Sequence, residues 1–209
     1  MGIDHKTFLC TNNSLIYDNL EKVKEFMDTN NRRPSSTSKN KDEKNKMYEA
    51  IQNFPAIKKK AGWALKWIDN DNMTYSDRIF GFACVEGIFF SGSFCSIYWL
   101  KKQGLMPGLC FANELISRDE GMHTDFAVLV YNTFLKNTYI LDGEKKIDLT
   151  LNEEKAFKII SEVVEIEEEF ITEAIPCKLI GMNNDLMKQY IKFVADRLLN
   201  QFGFNKLFN

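Results

Sequence analysis

Residues 79–100 read IFGFACVEGIFFSGSFCSIYWL, and residues 114–127 read ELISRDEGMHTDFA. The first stretch has only Glu86, Ser91, Ser93 and Ser96 as polar residues besides its glycines. It is long enough for a membrane span. A carboxylate near the middle disfavours that by roughly 2.5 kcal/mol or more, so it reads as a core helix of a bundle, capped at Thr74 or Ser76 and ending near Lys102. Glu86 is then a carboxylate on an apolar helix. It has to be neutralised, paired with a cation or bound to a metal. Phe90 and Phe94 come four and eight residues later along the same face. Taken alone, such a Glu most often has a polar structural partner.

The second stretch raises the metal reading. Glu120 and His123 form a Glu-x-x-His pair on one helical face, which lets a carboxylate oxygen and an imidazole converge on one ion. Carboxylate-bridged bundle proteins use one Glu from each of two helices and a Glu-x-x-His from each of two others. Iron and manganese suit that mixture of oxygen and nitrogen ligands. Glu-x-x-His alone arises often by chance; beside a helix with an embedded Glu and a phenylalanine-lined face it carries more weight.

Working outward, the chain reads as helices joined by short turns. Residues 12–27, NNSLIYDNLEKVKEFM, form a short amphipathic helix, with Leu15, Ile16, Leu20, Val23 and Met27 on one face. Residues 29–46 contain no apolar residue and read as a polar linker. A helical region over 47–68 is interrupted at Pro55. Two long helices, to about Lys102 and from about Leu109 to Leu135, carry the two quoted stretches. After the turn-like LDGEKK, a third long helix spans about Asn152–Ala174, and a last one runs from about Asp185 to Phe202, stopped by Gly203. No run shows convincing β alternation, so the fold class is all-α. The expected organisation is an N-terminal helical segment (1–28), a polar linker (29–46) and one helical domain (47–209).

Composition narrows the function classes. The 209 residues hold 27 Lys and Arg against 29 Asp and Glu, a net charge of −2, which gives no basic footprint for nucleic acid. Five scattered cysteines without a C-x-x-C pair read as reduced thiols. The start, MGIDHKTFLC, lacks the pattern of a secretory signal. The expectation is a cytoplasmic protein with neither nucleic acid nor membrane as partner. The acidic run Glu165, Glu167, Glu168 and Glu169 points around its helix instead of converging, and reads as a solvated face.

The continuous text VEGIFFSGSFCSIYWLKKQGLMPGLCFANELISRDEGMHTDFA resembles the small, metal-binding subunit of ribonucleotide reductase. The resemblance starts near Met47, runs through PAIKKKAGWALKWI and continues through EEEFITEAIPCKLIGMNNDLMKQYIKFVADRL to about Phe208. It implies a ferritin-like helical bundle, of which this chain holds part. It also implies a dinuclear iron centre that reacts with oxygen to generate a radical, passed to a separate large subunit that reduces ribonucleotides. Matched position by position, Glu86, Glu120 and His123 fall on the ligands of one of the two irons, with manganese the other candidate metal. Phe90, Phe94 and Ile116 fall on the apolar pocket beside the centre. Asp119, preceded by Arg118, falls on the radical-transfer path.

The sequence departs from the family in two places. The ligands of the second iron lie upstream of the matched region, where this chain carries its short helix and linker; its only other histidine, His5, has no Glu three residues before it. The tail that docks on the large subunit has no counterpart after GFNKLFN. The expectation is a ribonucleoside-diphosphate reductase small chain by descent with half of the metal ligands. A two-fold homodimer would supply both halves of the metal site; a full-length small subunit is the other candidate partner, covering the apolar faces left by missing helices. The alternative is a non-catalytic interaction protein or a gene fragment derived from that subunit.

Overall fold

Pro55 supplies a pre-set φ and lacks an N–H that the first turn of a helix would leave unbonded anyway, and it opens helix α1, Pro55–Ile68. The computed structural model describes residues 54–68, 73–142, 145–175 and 182–208. The expected N-terminal helix (12–27) and polar linker (29–46) lie outside the described residues. From α1, Trp63 and Trp67 turn inward, and the Trp63 ring meets Phe89 edge-on at 5.2 Å between centroids.

Helix α2, Tyr75–Cys84, is capped by Thr74. The Asp77 N–H donates to Thr74 Oγ1 at 3.1 Å and the Thr74 N–H donates to Asp77 Oδ2 at 2.9 Å, a reciprocal capping box. Ser76, the other candidate cap, is buried and donates to the Leu149 carbonyl. The apolar stretch is not one regular helix. After α2 the chain widens into a π-helical turn, π1 (Val85–Phe89), passes through Phe90 and resumes as α3, Ser91–Lys102. Glu86 lies within this widened turn, and Phe90 and Phe94 follow it in ring contact with one another.

Helix α4, Pro107–Val130, begins after a left-handed residue, Met106 (φ 49°), and runs into a second π-helical turn, π2 (Tyr131–Leu135). The fold is helical as expected, with one small addition. The residues on either side of positions 143–144 form a small antiparallel pair, β1 (Tyr139–Asp142) with β2 (Lys145–Asp148), registered from Tyr139↔Asp148 to Asp142↔Lys145. The Asp-Gly pair between two short apolar-containing runs is a hairpin signal that a helix-biased reading passes over. Helix α5, Glu153–Ala174, is capped by Asn152, and α6, Asn184–Phe202, by Asn183; Gly203, at φ +85°, ends α6 as expected.

The core lies where α5 packs against α6, α1 and π1. Phe80, Ala83, Cys84 and Ile88 from α2 and π1 are fully buried there against Ile160, Val163, Ile191 and Leu199. Tyr75–Lys102 is long and apolar enough to cross a membrane by length and composition; its inner face is apolar because it is the central rod of this bundle. Helix α4 behaves differently. Cys110, Asn113, Thr124 and Ala127 face inward, while Phe111, Met122, Phe126 and Leu129 stand more than half exposed. Cys84, Cys95 and Cys110 are free thiols.

Candidate metal centre

Glu86 sits in π1, and π-helical turns inside α-helices recur at functional sites. Gly87 lets this turn approach α4: a Cβ there would lie 3.3 Å from Thr124 Cγ2 and 3.4 Å from its Oγ1. Thr124 bonds back to the Glu120 carbonyl at 3.0 Å, one turn along from the Glu-x-x-His pair. The close approach brings three donors together. His123 Nδ1 is 2.9 Å from Glu120 Oε2 and 3.5 Å from Glu86 Oε2, and one ligand atom from each residue lies within 4.8 Å of the other two.

The electrostatics are those of an anionic pair sharing a proton. Burial, then the hydrogen bond and charge of Glu120, push the Glu86 carboxyl up to about 7. Glu120 moves the other way, held down first by its hydrogen bond with Glu86 and then by His123. His123 is raised, chiefly by its hydrogen bond to Glu120. A divalent cation would replace the shared proton and the imidazolium together, satisfying both carboxylates and leaving the imidazole neutral. Two carboxylate oxygens and one imidazole nitrogen at this separation fit a hard or borderline cation. His123 is 54% exposed on its side chain, so the site opens towards the outer face of α4.

Of the other residues singled out from the sequence, Phe94 lines a cleft of about 240 Å³ together with Glu86, Glu120, Tyr98 and Tyr190. Phe90 leans on Phe94, ring centroids 6.0 Å apart, and is 38% exposed. Ile116 is 49% exposed on α4, and Arg118 and Asp119 lie on the same helix, Asp119 exposed. These last three are not drawn into the donor cluster.

Sequence reasoning missed a second polar centre. Glu167 is not on a solvated face; it is fully buried, ion-paired with Lys60 of α1 and accepting the Gly92 N–H at 3.2 Å. Lys60 also donates to the Phe89 carbonyl at 2.7 Å and lies 3.5 Å from the centre of the Phe170 ring. Gly92 is required there, because a Cβ would stand 2.5 Å from Ile171 and 2.7 Å from Glu167 Oε1. The signal was present in spacing: Ile160, Val163, Glu167 and Ile171 fall on one helical stripe. Glu169 points outward to Lys59, as expected, whereas Glu168, its side chain mostly buried, reaches Lys192.

A helical bundle that aims one Glu from a widened turn and a Glu-x-x-His from the next helix at a single point is half of the carboxylate-bridged metal site of ferritin-like proteins. The chain belongs to the ribonucleotide reductase small-chain family, whose model ("Ribonucleotide reductase, small chain") matches residues 34–209. It is 53% identical over 171 residues to the ribonucleoside-diphosphate reductase small chain of Nicotiana tabacum, covering 82% of this chain and 48% of that protein. It is 55% identical over 170 residues to subunit M2 of Danio rerio, covering 81% and 41%. Among solved structures it resembles the Saccharomyces cerevisiae ribonucleotide reductase Rnr4 homodimer (TM-score 0.65, 37% identity, 78% of this chain and 48% of that one). A class I ribonucleotide reductase of Bacillus halodurans shares the fold (TM-score 0.61, 21% identity, 78% and 51%). The chain spans about half the length of the curated relatives it matches.

Proposed function

We propose that this chain serves ribonucleoside-diphosphate reduction, and hence deoxyribonucleotide synthesis for DNA replication, as a cytoplasmic small chain that binds metal through Glu86, Glu120 and His123. The observation that carries this reading is the convergence of the three donors within 4.8 Å in a chain of that family. Iron is the metal we favour, and manganese the second; bound there, it would supply the one-electron oxidising chemistry with which the family starts its radical. Glu120, held as a carboxylate, and Glu86, facing it across the π1–α4 contact, are the oxygen donors. His123 gives the nitrogen. Phe94 gives the cleft beside them an aromatic side chain, with Phe90 leaning on it. Arg118 and Asp119, on α4, are our candidates for the route to a large-subunit partner.

Manganese(II) titration of the 209-residue chain tests this. Saturable binding that is lost in Glu120→Gln and His123→Ala, with the helical circular dichroism unchanged, is expected. Binding equal in wild type and both variants would overturn the reading. A second reading, a non-catalytic interaction protein, is favoured by the exposed apolar side chains of α4; retention of a longer small chain without any metal binding by this chain would support it.

A further inference from the structure

The exit of the π-helical turn that carries Glu86 is bonded by side chains from two other helices. The carbonyl of Phe89, the last residue of π1, accepts from Lys60 Nζ of α1 at 2.7 Å. Three residues on, the Gly92 N–H donates to Glu167 Oε1 of α5 at 3.2 Å. Lys60 and Glu167 are ion-paired with each other, so one pair of opposite charges holds an acceptor and a donor on either side of Phe90 and Ser91. Between them, Ser91 Oγ donates back to the Ile88 carbonyl at 2.7 Å. A π-helical turn departs from the regular i→i−4 ladder, and here side chains bond the backbone where the departure ends. The Lys60 ammonium also lies 5.6 Å from the centre of the Phe89 ring, and Trp63, one turn along α1, meets that ring edge-on. A buried ion pair is weak evidence for stability, since apolar residues of similar volume often serve as well. Beyond each other, the hydrogen bonds of this pair end on one irregular turn, which gives it a geometric role.

We propose that Lys60 and Glu167 are positioning residues for the metal centre: together they fix the exit of π1 and so hold the Glu86 carboxylate where it meets Glu120 and His123. The inference rests on the metal binding proposed for those three donors and extends the site to α1 and α5, which supply none of them. The connection is short, because Phe89 is three positions after Glu86 within the same turn. The near side of that turn is set against α4 by the close approach of Gly87 to Thr124. The far side is set by the pair, and Gly92 lets the Glu167 carboxylate come close enough to bond the backbone. Glu86 is thereby held between two fixed ends of one widened turn.

The test replaces both charges together in the 209-residue chain and uses manganese(II) as the probe. Lys60→Met combined with Glu167→Gln leaves no buried ion alone and keeps an amide oxygen for the Gly92 N–H, so the urea midpoint should stay close to the wild-type value. Manganese affinity measured by calorimetry should nevertheless fall about tenfold. The electron paramagnetic resonance spectrum should show a changed zero-field splitting, and amides of residues 85–92 should exchange faster in the metal-free chain. Lys60→Arg, which keeps the charge and a donor for the Phe89 carbonyl, should retain the wild-type affinity and splitting. Should the double variant lose its helical circular dichroism, Lys60→Met alone takes its place at pH 6, where a protonated Glu167 stands neutral. Affinity, splitting and exchange equal to wild type, with binding still lost in Glu120→Gln, would overturn the positioning role and leave the metal-binding reading standing. An affinity that falls only in step with the urea midpoint, and falls equally in Lys60→Arg, would also overturn it. A wild-type chain that binds no manganese removes the metal-binding reading, and this inference with it.

Discussion

Glu167 and Glu86 are both pushed up to about 7, burial being the first cause in each case, yet their surroundings differ. Glu167 lies wholly inside the bundle, where Lys60, the Gly92 N–H and the nearby Phe170 ring form a closed arrangement supplied by α1, α3 and α5. Glu86 lies in a widened turn whose nearest polar neighbours are a second carboxylate and a largely exposed imidazole. The fold completes the first carboxylate's environment and leaves the second's open to a ligand. Burial alone therefore does not separate a structural carboxylate from a metal-binding one; the charge and exposure of its partners do.

Breaking the closed centre should have the largest effect. Glu167→Ala leaves Lys60 without its buried counter-charge and opens a hole against Ile171 and Gly92, so we expect a loss of about 3 kcal/mol in urea unfolding. The pH dependence should come next. Glu167 titrates near 4.5 when unfolded and about 7 when folded, so between those values the native chain holds a proton that the unfolded chain has released. The contribution of Glu167 to stability is therefore greatest below pH 4.5 and declines as pH rises through about 7. Thermal melts from pH 4.5 to 7.5 should show this decline, and Glu167→Gln should flatten it. At the open centre, raised Glu86 acts in the same window and the same sense as Glu167, whereas lowered Glu120 acts only below pH 4.5, so Glu86→Gln should remove a further part of the slope.

Glu86→Gln sharpens the contrast further. Without metal it relieves a carboxylate pair, so unfolding stability should stay within about 1 kcal/mol of wild type or rise slightly, while manganese affinity measured by calorimetry falls at least tenfold. The smallest effect belongs to the exposed pair Lys59–Glu169, whose glutamate is two positions from Glu167 along α5; Lys59→Ala should leave the urea midpoint unchanged. A Glu86→Gln chain destabilised as much as Glu167→Ala would dissolve the distinction between the two centres.

Much of the site was legible because helical spacing is a local property. Glu120 and His123 converge wherever their segment is helical, and the single carboxylate of Glu86 within the apolar stretch 79–100 marks it without any knowledge of the fold. Thr74, Asn152 and Gly203 likewise announce helix ends by chemistry confined to a few residues. Three features escape such a reading. The antiparallel pair on either side of positions 143–144 is two strands of four residues, too short for alternation to register. The π-helical turn at Val85–Phe89 interrupts what spacing alone reads as one regular helix. Glu167 looks solvated beside its acidic neighbours in sequence, and only the apolar stripe on which it lies marks it as buried.

The sequence by itself determined the family, the helical class and the identity of the three donors, since each depends on residue type and short-range spacing. Only the tertiary structure decided that Glu86 meets Glu120 and His123 while Glu167 meets Lys60, because those pairings join elements 34 to 107 residues apart through the close approaches permitted at Gly87 and Gly92. It also decided which face of α4 is left open, a consequence of what packs behind it and not of anything written in the helix alone.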